Sequence, residues 1–250
     1  MMTIKTTDSG PLMQLASAFW AFKTFAAAVE IDLFTRLRDG RRVTVSEIAT
    51  ELGIHERPSD VLLAACASLG LLDRNCAGYG NSAVAEEFLV SGRPCYFGGY
   101  VRFLDHREYP AWHGLVCALR DNRPLTSGPD EQESIFLTDD TLPNGHDVVL
   151  LSMILHDWDE ITGRALLRKC REALEPGGVI LIVEWLLNAQ RTGPAAAALM
   201  GMNMIVETVG GRNYSKSEYV TWSRDVGFQG AHIVHFDAVG ANGAVVDRKH

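Results

Sequence analysis

The run LSMILHDWDE, Leu151 to Glu160, carries an apolar stretch into His156, Asp157, Trp158, Asp159 and Glu160. A second carboxylate, Glu184, closes the next apolar stretch, GGVILIVE. An imidazole with a carboxylate on one nitrogen has its tautomer fixed and can take a proton at the other. His156 and Glu184 are therefore the residue types of a general base and its orienting acid. Spacing alone leaves a plainer reading open, in which His156 or Asp157 caps the following helix and Glu184 bonds to loop backbone.

The elements that would position them come from the same pattern. HDVVLL and GGVILIVEW are too continuously apolar for half-exposed strands, and DEITGRALLRKCREALEPGG between them has helical spacing closed by Pro-Gly-Gly. Strand, helix, strand predicts a parallel pair with a right-handed crossover, with His156 and Glu184 at adjacent carboxyl ends, where open α/β sheets hold ligands. Helices are predicted over 195–209 and 215–226, the second with Ser215 and Glu218 in capping-box spacing. AHIVHFDA and GANGAVVDRKH predict a terminal hairpin.

The amino-terminal half is helical in pattern. Leu15, Phe19, Phe22, Phe25, Val29, Leu33 and Phe34 predict a helix buried on most of its circumference, which in so small a region asks for a second copy of the chain to cover it. TVSEIATELGI predicts a helix capped by Thr44 or Ser46, and RPSDVLLAACASLGLLD a second with Pro58 in its first turn. DRNCAGYGNS predicts a hairpin in which Gly78 and Gly80 permit unusual backbone angles. Helix, helix, hairpin is a winged-helix order. Residues 92–125 are rich in aromatic and glycine residues, and Tyr100, Phe103, His106 and Trp112 are candidates to line a pocket for a flat ligand or to pack as ordinary core. Arg102 and His113 are candidates for its polar edge. The domains are expected at residues 1–126 and 127–250, with SGPDEQES as linker.

The composition narrows the function classes. The 250 residues are 47% hydrophobic and 22% charged, the balance of a globular chain with a sizeable core. A net charge of -8, with neither half basic, gives no footprint for a phosphate backbone, and the candidate reading helix is apolar, so nucleic acid is not an expected partner. Lys23 and Gln14 interrupt the first apolar segment, which makes a core or intersubunit helix the expectation rather than a membrane span. Five widely spaced cysteines without a CxxC pair suit a reducing cytoplasm and offer no metal cluster.

LLSMILHDWDE, LRKCREALEPGGVILIVEWLL and MNMIVETVGGRNYSKSEYVTWSRDVGF together resemble the S-adenosylmethionine-dependent small-molecule O-methyltransferases of the plant caffeate and bacterial polyketide-tailoring type. FKTFAAAVEIDLFTRL, VSEIATELGI and LLAACASLGLL resemble the winged-helix dimerisation domain of that family. The resemblance implies an α/β fold: a helical winged-helix dimerisation domain followed by a Rossmann-like methyltransferase domain. It implies a homodimer and S-adenosyl-L-methionine as cofactor, with His156 taking the proton of an aromatic hydroxyl, Glu184 as one flanking acid and Asn213 at the position of a second. Asn213 can orient by hydrogen bonding but carries no charge. Asp139, Ser152 and Trp158 fall beside the implied cofactor, and Met153 and Met202 beside the implied substrate, or in the core.

The resemblance also exposes a gap. Between Ser127 and Leu137 the family carries further helices and strands with a VLDxGGGxG-like loop, and no GxGxG occurs in this chain. The expectation is a Rossmann-like domain without its first strands, leaving VVLL as an open apolar edge. A stretch missing from the chain, a deletion and a compact cofactor site would each produce this. The rival functions are a noncatalytic dimeric binding or scaffold protein and a tailoring enzyme that uses the cofactor without transferring its methyl.

Overall fold

The computed structural model describes residues 8–126 and 141–250. The chain divides after Pro110 into two units.

The first unit opens with helix α1 (Gly10–Glu30), which has proline in its first turn. Only Ala26, Ala28 and Val29 of α1 are buried, while Leu12, Leu15 and Trp20 are exposed, Leu15 by 76%. One chain alone does not supply the burial expected on most of the circumference of α1, which leaves these side chains for the second copy that the periodicity calls for. Helix α2 (Leu33–Arg36) leads to α3 (Val45–Leu52), capped by Thr44 in a reciprocal box with Glu47, and to α4 (Glu56–Ser68). Strands β1 (Leu72–Asn75) and β2 (Gly78–Asn81) form the expected antiparallel hairpin. Gly78 has φ +113°, and a Cβ there would lie 2.2 Å from the Val43 carbonyl oxygen, so this position admits glycine alone. Gly80 has no such backbone angle. Its constraint is the backbone of Arg41 at 3.0 Å from an added Cβ.

Leu33, Phe34, Leu37, Ile48, Leu63 and Cys66 form the core of this unit. Burial pushes the Cys66 thiol up to about 11, which makes it an inert core residue. Helices α5 (Ala83–Phe88) and α6 (Gly98–Phe103) come next, then a π-turn over Leu104–Glu108 and α7 (Tyr109–Trp112).

Beyond Pro110, α8 (Leu115–Asp121) precedes the sheet. Strand β3 (His146–Ser152), α9 (Glu160–Ala173) and β4 (Leu174–Glu184) form the predicted unit, with β3 and β4 parallel from Val148↔Val179 to Ser152↔Val183. Helices α10 (Ala195–Glu207) and α11 (Lys216–Asp225) lead into the hairpin β5 (Gln229–Ala238) and β6 (Ala241–Arg248). The sheet order is β3-β4-β6-β5, with β6 antiparallel to both neighbours, so the sheet is mixed. One face packs Leu151, Ile180, Ile182 and Val245 against Leu166, Leu167 and Trp222. The alternate residues of β3 behave differently. Val148 and Leu150 are 54% and 59% exposed, and β3 is hydrogen-bonded to a strand on one side only, among the described residues. This is the open apolar edge that a sheet without its preceding strands must show.

Candidate active site at the tips of two parallel strands

Parallel neighbours end side by side, and that brings His156 and Glu184 together. Glu184 is the last residue of β4, and the chain leaves β3 through Met153, whose φ of 56° turns it sharply, into a short 3-10 turn over Leu155–Asp157. The turn is pinned to Glu184: its Oε1 accepts hydrogen bonds from the backbone N–H groups of Ile154 at 3.1 Å and Leu155 at 2.9 Å. Its Oε2 lies 2.6 Å from His156 Nδ1. His156 is 3% exposed and Glu184 is fully buried. The capping reading falls away, because Asp159 caps α9 by accepting from the Thr162 N–H at 2.8 Å. Glu184 does bond to loop backbone, with one oxygen, while the other holds the imidazole.

The charges around the ring decide its protonation. Burial by itself lowers the imidazole pKa, but the Glu184 hydrogen bond and charge, with the charge of Asp157, outweigh it and hold His156 above its ordinary 6.5. Asp157 Oδ1 stands 3.4 Å from His156 Nε2, so carboxylates flank both ring nitrogens. Burial holds the Asp157 carboxyl above its ordinary range, and the charges of Glu184 and Glu207 add to this against the pull of His156. With Nδ1 committed to Glu184, the neutral ring presents Nε2 as its acceptor.

Gly210 and Gly211 let the GGR segment pack closely on the HDW turn. A Cβ on Gly211 would lie 2.5 Å from the His156 carbonyl oxygen and 2.4 Å from Thr208 Oγ1, so the GGR turn passes too close to the His156 turn for any side chain. Asn213, two residues on, is buried and donates from Nδ2 to the Trp185 carbonyl oxygen at 2.9 Å. Tyr214 Oη donates to the Trp158 carbonyl oxygen at 2.7 Å, tying the same segment to the HDW turn.

The remaining candidates fall in different places. Ser152 is exposed at the tip of β3, and Met153 and Trp158 are half-buried beside the turn. Met202 is half-buried on α10, and Trp112 Nε1 donates to Asn203 Oδ1 of the same helix at 2.9 Å. Tyr100 and Phe103 belong to the first unit, exposed and stacked with ring centroids 6.1 Å apart. His106, also exposed, lies 3.8 Å from Glu30. Asp139 lies outside the described residues. The sequence marks Asp157 only as a candidate cap. Its place beside Nε2 depends on the direction of a three-residue turn, for which the one available signal is its adjacency to His156.

The fold is the α/β architecture of a methyltransferase domain, with the His156–Glu184 pair at its strand tips. The same fold is found in human N-acetylserotonin methyltransferase in complex with SAM (TM-score 0.82, 20% identity, 99% of each chain covered) and in PigF with SAH (TM-score 0.79, 24% identity, 98% of this chain and all of that one). An O-methyltransferase domain matches residues 132–229, and an O-methyltransferase dimerisation domain matches residues 13–91, which include most of α1. The 3-hydroxy-5-methyl-1-naphthoate 3-O-methyltransferase of Streptomyces sahachiroi is 33% identical, with 95% of this chain and 94% of that protein covered. The tetracenomycin polyketide synthesis 8-O-methyl transferase of Streptomyces glaucescens is 26% identical, with 91% and 94% covered. The chain belongs to the O-methyltransferase family, and it is an S-adenosyl-L-methionine-dependent O-methyltransferase.

The alignment with the naphthoate enzyme spans 328 positions, more than the 250 residues of this chain, so internal stretches of that relative have no counterpart here. By length and composition α1 also meets the requirement for crossing a bilayer. Its burial in the core at Ala26, Ala28 and Val29 and its place in a dimerisation domain give it another role. At the tip of β3, Ser152 is exposed and the backbone turns sharply at Met153.

Proposed function

We propose that this enzyme methylates a hydroxyl of an aromatic, polyketide-like small molecule of secondary metabolism, with His156 as general base. The observation that carries the reading is the 2.6 Å contact between His156 Nδ1 and the buried Glu184 carboxylate at the tips of parallel strands. The activities of the naphthoate and tetracenomycin relatives support the substrate class.

A phenol with a pKa of about 10 is a weak nucleophile at neutral pH. His156 Nε2 takes its proton as the oxygen attacks, and Glu184 keeps the Nδ1 proton in place and stabilises the imidazolium that forms. General base action of this kind contributes roughly 100- to 10,000-fold. S-adenosyl-L-methionine, when bound, would supply the methyl as an electrophile on sulfonium sulfur, with its thioether as the leaving group. Ser152 and Trp158 would hold the cofactor, and Met153 and Met202 would shape the acceptor side. Asn213, at the position of the second flanking acid, would orient by hydrogen bonding. The fixed turn sets the angle between base and hydroxyl, and such alignment supplies much of the remaining rate.

A homodimer formed through the exposed apolar side chains of α1 completes the reading, supported by the dimerisation domain that spans it. A reducing cytoplasm suits the chain, since Cys66, Cys76, Cys95, Cys117 and Cys170 are all free thiols. The test is incubation with methyl-labelled S-adenosyl-L-methionine and a panel of hydroxynaphthoates and hydroxylated polyketides, with products identified by mass. A labelled methyl ether on at least one compound is expected. Label on nitrogen or carbon instead, or none at all, would sink the assignment.

A further inference from the structure

Asn213 is 2% exposed, and the two ends of its amide are treated differently. The Nδ2 group donates to the Trp185 carbonyl oxygen at 2.9 Å. That bond fixes which way the amide points, since turning it over would set two acceptor oxygens against each other. Oδ1 is left buried with no hydrogen-bond donor in reach among the described residues. Buried acceptors are almost always satisfied, and one left over beside a reaction site calls for an occupant.

Its placement says which occupant. The segment bearing Asn213 runs alongside the end of β4: the Leu187 N–H donates to the Tyr214 carbonyl oxygen, and Leu187 bridges Ser215 in parallel. Asn213 is therefore level with Trp185, one residue beyond Glu184. Gly201 of α10 closes on it from the other side, where an added Cβ would lie 3.4 Å from the Asn213 backbone nitrogen. Asn213 thus lies between the strand end that carries the orienting acid and the helix that carries Met202.

We propose that Asn213 determines specificity: its Oδ1 accepts a hydrogen bond from a second O–H or N–H group of the substrate, separate from the hydroxyl that is methylated. The class selected is an aromatic compound with a free hydroxyl or amino group besides the reacting one. This inference rests on the reading of the site as one that methylates hydroxylated aromatics. A carboxylate at 213 would accept the same bond but would set another negative charge near Glu184 and lose the bond to Trp185. The amide accepts at one end and is anchored at the other.

The test is calorimetric titration of a 3-hydroxynaphthoate and of dihydroxynaphthoates with the second hydroxyl at different ring positions. Each is titrated into the parent, Asn213→Ala and Asn213→Ser, and methyl transfer is followed separately. The parent is expected to bind at least one dihydroxy isomer about tenfold more tightly than the monohydroxy compound, the size of a single hydrogen bond to a buried acceptor. In Asn213→Ala that ratio falls to near one, and Asn213→Ser, which keeps a hydroxyl oxygen, retains part of it. A purely structural role would weaken all compounds alike and leave the ratio intact. An unchanged ratio in the folded variants overturns the inference, as does a parent that binds none of the isomers preferentially. Preference without methyl transfer would sink the methyltransferase reading and leave the Asn213 assignment standing. Transfer without preference would do the reverse.

Discussion

Replacing Glu184 with glutamine keeps the size of the side chain and removes its charge, and the three bonds made by Glu184 determine the outcome. The carboxylate accepts from Ile154 and Leu155 with one oxygen and holds His156 Nδ1 with the other. Glutamine has a single oxygen. If that oxygen turns to His156, the amide NH2 faces two buried backbone N–H groups, and each unmade bond costs about 1 to 3 kcal/mol. The favoured arrangement keeps the oxygen on the backbone and points the NH2 at Nδ1. That forces the neutral ring into the tautomer with its proton on Nε2, the nitrogen that must accept. The expected loss in kcat/KM is about two to four orders of magnitude, the whole of the general base contribution. The fold should weaken by only about 1 to 2 kcal/mol, since a charge-assisted bond gives way to a neutral one. Methyl transfer to a hydroxynaphthoate gives the rate, and long-range proton–nitrogen NMR of the His156 ring gives the tautomer. A variant within threefold of the parent rate, or one whose Nε2 stays unprotonated, would refute the reasoning.

Because the His156 pKa lies above 6.5, kcat/KM should rise with pH through a midpoint above that value, as neutral imidazole appears. A flat profile, or a midpoint below 6.5 in the parent, would contradict the paired imidazole. The same raised pKa makes the stabilisation from the ion pair fully present below about pH 6.5 and lost as pH rises through the folded value, which a series of denaturant midpoints measures. Gly211→Ala should push the HDW turn away from Glu184 and cut kcat/KM at least tenfold, since the new Cβ meets the His156 carbonyl oxygen at 2.5 Å; an unchanged rate would show that the turn can yield. Val148→Lys with Leu150→Lys should reduce self-association in light scattering while leaving the melting temperature within a few degrees, because both side chains are more than half exposed. Loss of the fold would mean that the edge is covered.

Much of the site was legible because its logic is that of adjacent strand ends. Two apolar runs with a helix between them required parallel neighbours, and parallel neighbours bring His156 and Glu184 to one rim whatever the loops do. The capping box at Ser215 was equally local, since donor and acceptor are three residues apart, whereas the spacing left Thr44 and Ser46 both open and the structure chooses Thr44, boxed with Glu47. What escaped the sequence depended on direction or on company. Which nitrogen of His156 meets Glu184, and that Asp157 faces the other, are set by a short turn held by two backbone bonds that no side-chain pattern encodes. Asp159 rather than His156 caps α9 because the 3-10 turn uses the intervening residues. The periodicity of α1 already asked for a second copy of the chain, but which of its side chains are left for that copy, Leu12, Leu15 and Trp20 among them, is set by the packing of the single chain. Asn213 was legible as a residue type, but its orphan oxygen was not, because that depends on the Trp185 carbonyl claiming the other end of the amide.

The central claim is that His156 Nε2 removes the proton of the hydroxyl that becomes methylated. The most direct measurement is the single-turnover rate of methyl transfer by His156→Gln against the parent, at saturating S-adenosyl-L-methionine and phenol. A slowing of about two to four orders of magnitude is predicted at neutral pH. It should shrink as pH approaches the phenol's own pKa of about 10, where the hydroxyl ionises without help. A variant that transfers the methyl as fast as the parent at neutral pH would contradict the account.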